Sequence, residues 1–187
     1  GHINHGQWTH PRDTSVNYKR LDYWTDLAKV LERGLFDALF IADILGVYDV
    51  YGAGIGVTAR ESVQLPVNDP MMLVSAMASV TKGLGFGITV NVNTEPPYSF
   101  ARRISTLDHL TEGRIGWNIV TGYLDSAARA LGRNALTGHD LRSDQADDYL
   151  EVLYKLWEGS WEEDAVRADR AARVYADPAK VHKIRHK

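Results

Sequence analysis

The residues best suited to chemistry in this sequence are the polar ones that end its apolar runs. Asp43 closes "LFDALFIAD", Thr89, Asn91 and Asn93 close "LGFGITVNV", and Asn118 and Thr121 close "RIGWNIVTG". In parallel α/β folds ligands sit outside the carboxyl ends of the strands, which is where these polar residues fall. One such residue could be an ordinary loop or cap residue, but three runs ending in the same way point to a shared site. His139, in "TGHDLRSDQADDY", stands just before a helical pattern, where it could reach an anion or cofactor. His2, His5 and His10 cluster without a nearby carboxylate set, which fits a loop lining a pocket better than a metal centre, and His109 falls inside a helical pattern. "GIGVTA" at Gly54–Ala59 has the form of a dinucleotide fingerprint, yet "VYDVYGA" before it is not a buried strand, so a flexible insertion is the better reading. The glycines of "KGLGFG" lie inside a strand pattern, where they permit close backbone packing.

Other chemistries are removed by what is missing. The chain has no cysteine, which excludes disulfides, thiolate zinc sites and cysteine nucleophiles and fits a reducing, cytoplasmic compartment. It has no GxSxG elbow, HExxH helix or phosphate-binding GxxxxGK[ST]. A net charge of −3 argues against nucleic-acid binding, and no apolar run approaches the roughly 18 residues of a membrane helix. With 44% hydrophobic and 24% charged residues, the chain reads as a soluble globular domain able to bury a sizeable core.

The elements that must position these residues alternate. Leu21, Trp24, Leu27, Ala28 and Leu31 predict a helix over 21–33, with Gly34 as its left-handed C-terminal residue. "LFDALFIAD" then predicts a strand buried on both faces. A polar, glycine-containing insertion runs from about Gly46 to Asn68, and its Arg60 is the one basic residue available there for an anionic substrate. Asp69 and Pro70 predict an N-cap and first helical residue, opening a helix with Leu73, Ala76, Met77 and Val80 inward until Gly83. "LGFGITVNV" is the next strand, Pro96 and Pro97 open a helix that ends near Gly113, and "RIGWNIVTG" is the third strand. "SAARALG" predicts a short helical turn, and Ala146, Tyr149, Leu150, Leu153, Leu156 and Trp157 a helix closed by Gly159. The tail "WEGSWEEDAVRADRAAR" predicts a solvated segment of helical pattern. Strands separated by helices imply a parallel sheet within a single domain over residues 1–187.

Several long segments carry a resemblance: "FDALFIADILGVYDVYG", "PVNDPMMLVSAMASVT", "LGFGITVNVNTEPPYSFARRISTLDHLTEGRIGWNIVTGYLDSAARALG" and "DYLEVLYKLWEGSW". They resemble the flavin-dependent monooxygenases of the nitrilotriacetate and dibenzothiophene-sulfone type, in the bacterial luciferase-like superfamily. The resemblance implies the N-terminal part of a (β/α)8 TIM barrel with insertions, with the first barrel strand before Gly1 and later strands beyond Lys187, since such a barrel takes about 250 residues. It also implies a two-component enzyme that uses reduced FMN and O2 to oxygenate a small organic molecule, breaking a carbon–nitrogen or carbon–sulfur bond. A separate NAD(P)H-dependent flavin reductase would supply the FMN, and the assembly would be a homodimer or homotetramer. By resemblance Asp43 and Thr89 contact the flavin, and His139 matches the histidine of the family's HDxRY segment. Ser143 stands where that segment usually has tyrosine, and its shorter hydroxyl could still reach a phosphate. Asn118 would line the pocket, while His2, His5 and Trp8 would face its mouth as candidate substrate contacts. Two alternatives stay open: a luciferase-like enzyme acting on a flavin or another heterocycle, and a truncated, non-catalytic flavin-binding homologue.

Overall fold

The computed structural model describes residues 6–186. Helix α1 (Leu21–Arg33) follows the spacing of Trp24, Leu27, Ala28 and Leu31, with Ala28 fully buried. It ends differently from the expectation, because Gly34 keeps a negative φ and the left-handed residue is Leu35, at φ 59°. The Leu35 N–H reaches the Glu32 carbonyl (3.0 Å) and the Phe36 N–H the Leu31 carbonyl (3.1 Å), so the closing turn forms one residue later.

Strand β1 (Ala38–Ile41) is shorter than its apolar run and is not buried on both faces, since Phe40 is 56% exposed. Its ring lies over Gly87, where an added Cβ would meet it at 3.3 Å, and a glycine offers no side chain to cover it. The insertion contains a helix the sequence pattern missed, α2 (Gly56–Glu61), preceded by a single turn at Tyr51–Ala53. With a turn rather than a strand before it, "GIGVTA" lacks the frame of a dinucleotide site.

Helix α3 (Pro70–Ala78) starts as expected, with the Asp69 carboxylate accepting the Met71 N–H at 2.9 Å. It stops at Ala78 rather than near Gly83. The Thr81 hydroxyl donates to the Met77 carbonyl at 3.0 Å, and one oxygen of Glu32 accepts the next three backbone N–H groups, those of Lys82 (2.6 Å), Gly83 (2.6 Å) and Leu84 (3.2 Å). Those bonds, from Gly83 and Lys82 above all, hold the Glu32 carboxyl below the usual carboxylate range. A depressed folded-state pKa contributes stability above the unfolded value that is lost as pH falls through the folded one. Glu32→Ala is therefore expected to lower Tm clearly at pH 7 and much less at pH 3, which thermal melts at the two pH values will check.

Strands β2 (Gly85–Asn91) and β3 (Ile115–Val120), with helix α4 (Pro97–Thr111) between them, complete a parallel sheet in the order β1-β2-β3. Ile41 pairs with Ile88, Gly87 with Gly116, and Thr89 with Asn118. Phe86 and Ile88 are buried on one face of β2, with Val74, Met77 and Leu84 also in the core. Arg114, just ahead of β3, ties the layer together. Its guanidinium donates to the carbonyls of Leu84 (2.8 Å), Thr111 (2.9 Å), Ala78 (3.3 Å) and Thr81 (3.4 Å), and it sits 5.8 Å above the Phe86 ring. Helix α5 (Asp125–Ala130) is the short turn expected at "SAARALG".

Helix α6 (His139–Gly159) begins about two turns before Ala146, where its apolar stripe is expected to start, because the stripe continues upstream through a charged residue. Arg142 is buried one turn before Ala146, Tyr149 and Leu153. The tail does not continue as a helix. It forms an antiparallel hairpin of β4 (Val166–Asp169) and β5 (Val174–Ala176), exposed along most of its length, with the Asp169 carboxylate accepting the Ala172 N–H at 2.9 Å in the turn. Exposed Val166, Val174 and Tyr175 favour the strand.

The chain divides into two compact units. One holds the parallel sheet and comprises residues up to Thr94 with Ile104–Thr137; the other comprises Glu95–Arg103 and the chain from Gly138 onward. In the second, the Phe100 ring packs 6.2 Å from that of Tyr149, and burial pushes the Tyr149 hydroxyl far up. Among the described residues no helix is long and apolar enough to cross a membrane.

Candidate functional site

The carboxyl ends of β1, β2 and β3 bring three of the sequence-predicted residues to one edge of the sheet. Thr89 is almost completely buried on β2, and its hydroxyl oxygen accepts the side-chain amide of Asn118 on β3 at 3.1 Å. That bond leaves the Thr89 hydroxyl hydrogen free to be donated. Asp43, two residues beyond β1, is half-buried. Burial pushes its carboxyl up, helped by the Asp69 carboxylate, against a smaller opposing effect of the Ile44 N–H. On the same face as Thr89 and Asn118, Gly87 and Gly116 are paired neighbours without side chains, and the Phe40 ring of β1 lies over Gly87. Asn91 and Asn93 are spent on the loop: the Asn91 side chain accepts the Asn93 N–H (2.9 Å), and the Asn93 amide donates to the Thr121 carbonyl (3.0 Å).

The sheet unit also holds a cavity of about 510 Å³, lined in part by Trp8, Tyr18, Tyr23, Trp24, Ile41 and Arg60. Trp8 therefore lines a pocket, as does part of the insertion, whereas His2 and His5 lie outside the described residues. The Tyr18 carbonyl accepts both the Trp24 indole N–H (2.6 Å) and the Asn68 amide (2.7 Å), which fixes the α1 side of this cavity to the insertion. His10 and His109 are exposed.

His139 and Ser143 belong to the second unit. His139 is the first residue of α6, exposed, with its Nδ1 3.1 Å from the Asp140 carboxylate. Ser143 lies one turn on and donates to the His139 carbonyl at 3.4 Å. Both side chains are open to solvent beside free N–H groups of a helix start, a setting that suits an anion.

The family model of luciferase-like monooxygenases matches residues 3–183. A long-chain alkane monooxygenase of Geobacillus thermodenitrificans is 56% identical over 186 residues, covering 100% of this chain and 42% of that protein. A dimethyl-sulfide monooxygenase of Hyphomicrobium sulfonivorans is 52% identical, covering 99% of this chain and 38% of that one. The crystal structure of a long-chain alkane monooxygenase superposes with a TM-score of 0.97, over 100% of this chain and 43% of its own. That of a riboflavin lyase with modified FMN and riboflavin gives 0.91 at 43% identity, over 98% and 41%. The chain thus spans about two fifths of the length of the relatives it matches. Three parallel strands with crossover helices, polar strand ends and these likenesses over the whole chain agree on one conclusion: the chain belongs to the luciferase-like monooxygenase family, as the N-terminal part of its α/β barrel.

Proposed function

We propose that the protein is a cytoplasmic two-component monooxygenase that takes reduced FMN from an NAD(P)H-dependent flavin reductase and oxygenates a small organic molecule at a carbon–sulfur or carbon–nitrogen bond. The observation that carries this reading is the strand-end set: the half-buried Asp43 carboxyl and the buried Thr89 hydroxyl, which accepts the Asn118 amide, beside the paired glycines Gly87 and Gly116. This donor set suits a flavin, whose ring system presents alternating hydrogen-bond donors and acceptors on a flat body. Asp43 and Thr89 would hold the ring, and the helix start at His139 and Ser143, taken by itself, suits an anionic group. When bound, the reduced cofactor supplies the electrons that activate oxygen. The chain's own part is to bind and orient it and to exclude water. Similarity to proteins named for alkane and dimethyl-sulfide oxidation favours a small, weakly charged substrate, as does the near absence of basic residues from the insertion. A homodimer or homotetramer is the expected assembly.

A second reading, an enzyme acting on a flavin or another heterocycle, is favoured by the aromatic lining of the cavity together with the riboflavin lyase likeness. Turnover of the full chain with a flavin reductase under 18O2, against a dialkyl sulfide, a long-chain alkane and riboflavin, separates the two. The first reading predicts one labelled oxygen atom in the sulfide product. Labelled product from riboflavin alone favours the second reading, and no labelled product from any of the three overturns both.

Asp43→Asn is expected to weaken reduced-FMN binding while leaving Tm at pH 7 unchanged or higher. A carboxyl whose folded-state pKa is raised costs stability once it ionises, so the variant's relative gain disappears below the ordinary aspartate range, where both states are protonated. Melts at pH 7 and pH 3 beside a flavin titration check both halves; a lower Tm at pH 7 would show that the ionised carboxylate is what the fold uses.

A further inference from the structure

Two loops leave the sheet on either side of β2, one after β1 and one after β3, and they are stitched to each other residue by residue. Gly46 packs directly on α5: it sits at φ +95°, and a Cβ there would lie 2.6 Å from the Ala127 backbone nitrogen and 2.9 Å from its Cα. Val47 is held on both polar groups by one side chain, because the Ser126 Oγ accepts its N–H at 3.0 Å and donates to its carbonyl at 2.7 Å. The Tyr48 hydroxyl meets that of Tyr123 at 2.5 Å, with the rings 6.4 Å apart. Asp49 takes the Arg129 guanidinium at 2.6 Å. From the other side, buried Thr58 of α2 donates to the Tyr48 carbonyl at 2.6 Å. Four consecutive residues of the β1 loop thus find partners some 75 to 80 positions away, between Tyr123 and Arg129.

We infer that Ser126 is a positioning residue: with Tyr123 and Arg129 it locks the loop after β1 into a fixed wall above the end of β2, rather than a mobile lid, and so keeps water from the reduced flavin during oxygenation. The inference rests on the proposed flavin site, since the locked loop is the continuation of the segment that carries Asp43. The Ser126 hydroxyl suits this position because Val47 presents a donor and an acceptor together, and one oxygen that both accepts and donates satisfies the pair. Burial and the bond to Tyr48 push the Tyr123 hydroxyl up to about 12, so Tyr123 keeps its proton through the physiological range.

The test uses the full chain and three variants. In Ser126→Ala the Val47 amide is expected to exchange with solvent about tenfold faster, the equivalent of losing one hydrogen bond. The fraction of reduced FMN consumed as hydrogen peroxide should rise at least about twofold, while affinity for reduced FMN stays near the wild-type value. Ser126→Thr, which keeps the hydroxyl, should restore both readouts, and Arg129→Gln should give a smaller change of the same sign. The last variant breaks only the solvent-side ion pair, so it reports even if Ser126→Ala fails to fold. Unchanged Val47 exchange overturns the inference, and so does faster exchange with an unchanged peroxide fraction, which would make Ser126 a loop contact only. Failure of the wild type to bind reduced FMN overturns the functional reading and this inference with it, and is recognised because it precedes any substitution.

Discussion

Replacing Arg114 by methionine is expected to lower the unfolding free energy by about 3 kcal/mol, measured by denaturant titration. One guanidinium serves the carbonyls of Ala78 and Thr81 at the end of α3, Thr111 at the end of α4 and Leu84 at the entry to β2. Helix ends leave carbonyls without intrahelical partners, and where they are partly buried some other donor must take them. Five N–H groups in a rigid fork can do so; methionine keeps the volume over the Phe86 ring and removes every donor. The figure is well below a sum of separate charged hydrogen bonds because these act as one group and water can reach some of the freed carbonyls. Arg114→Lys retains the charge but not the fork, so most of the loss should persist. A cost below about 0.5 kcal/mol, typical of an ordinary surface substitution, would show that Arg114 does not hold the layer together.

Gly46→Ala is expected to cost about 3 kcal/mol and to open the clasp between the β1 and β3 loops. Two effects add. At φ +95° a side chain is strained whatever space surrounds it, and here the added Cβ would also meet backbone atoms of Ala127 at 2.6 and 2.9 Å, which no rotamer change can relieve. Gly56→Ala is the matched control. That position opens α2, has nothing within 4 Å of an added Cβ, and should be neutral or stabilising by about 0.5 kcal/mol. Thermal melts of the two variants together separate a demand for glycine from a general intolerance of the insertion.

How far these features could be read in the sequence depends on the range over which their physics acts. Helices α1, α3 and α4 were legible because apolar periodicity and caps such as Asp69–Pro70 are local. The parallel sheet followed because alternating helices leave no other connection. What failed was also local but ambiguous. A charged segment with alanines matched a helix, yet Val166, Val174 and Tyr175 made it a hairpin, and a buried Arg142 hid the first turn of α6. The strand-end residues Asp43, Thr89 and Asn118 could be found from the general rule for parallel sheets, although the rule did not reveal that Asn118 donates to Thr89. The clasp was beyond reach: Gly46, Ser126 and Tyr123 form no motif, and their contacts span some 75 to 80 residues of chain. Likewise Leu35, not the glycine beside it, takes the left-handed turn, because the hydrogen bonds that fix the turn outweigh intrinsic preference.

The central claim is that the carboxyl ends of β1–β3 hold reduced FMN, and an anaerobic titration of the full chain tests it most directly. The wild type should bind reduced FMN saturably and more tightly than oxidised FMN or reduced riboflavin, and Thr89→Val, which removes one buried donor while keeping the shape, should weaken it about tenfold. No binding by the wild type, or wild-type affinity in both Thr89→Val and Asp43→Asn, would contradict the claim.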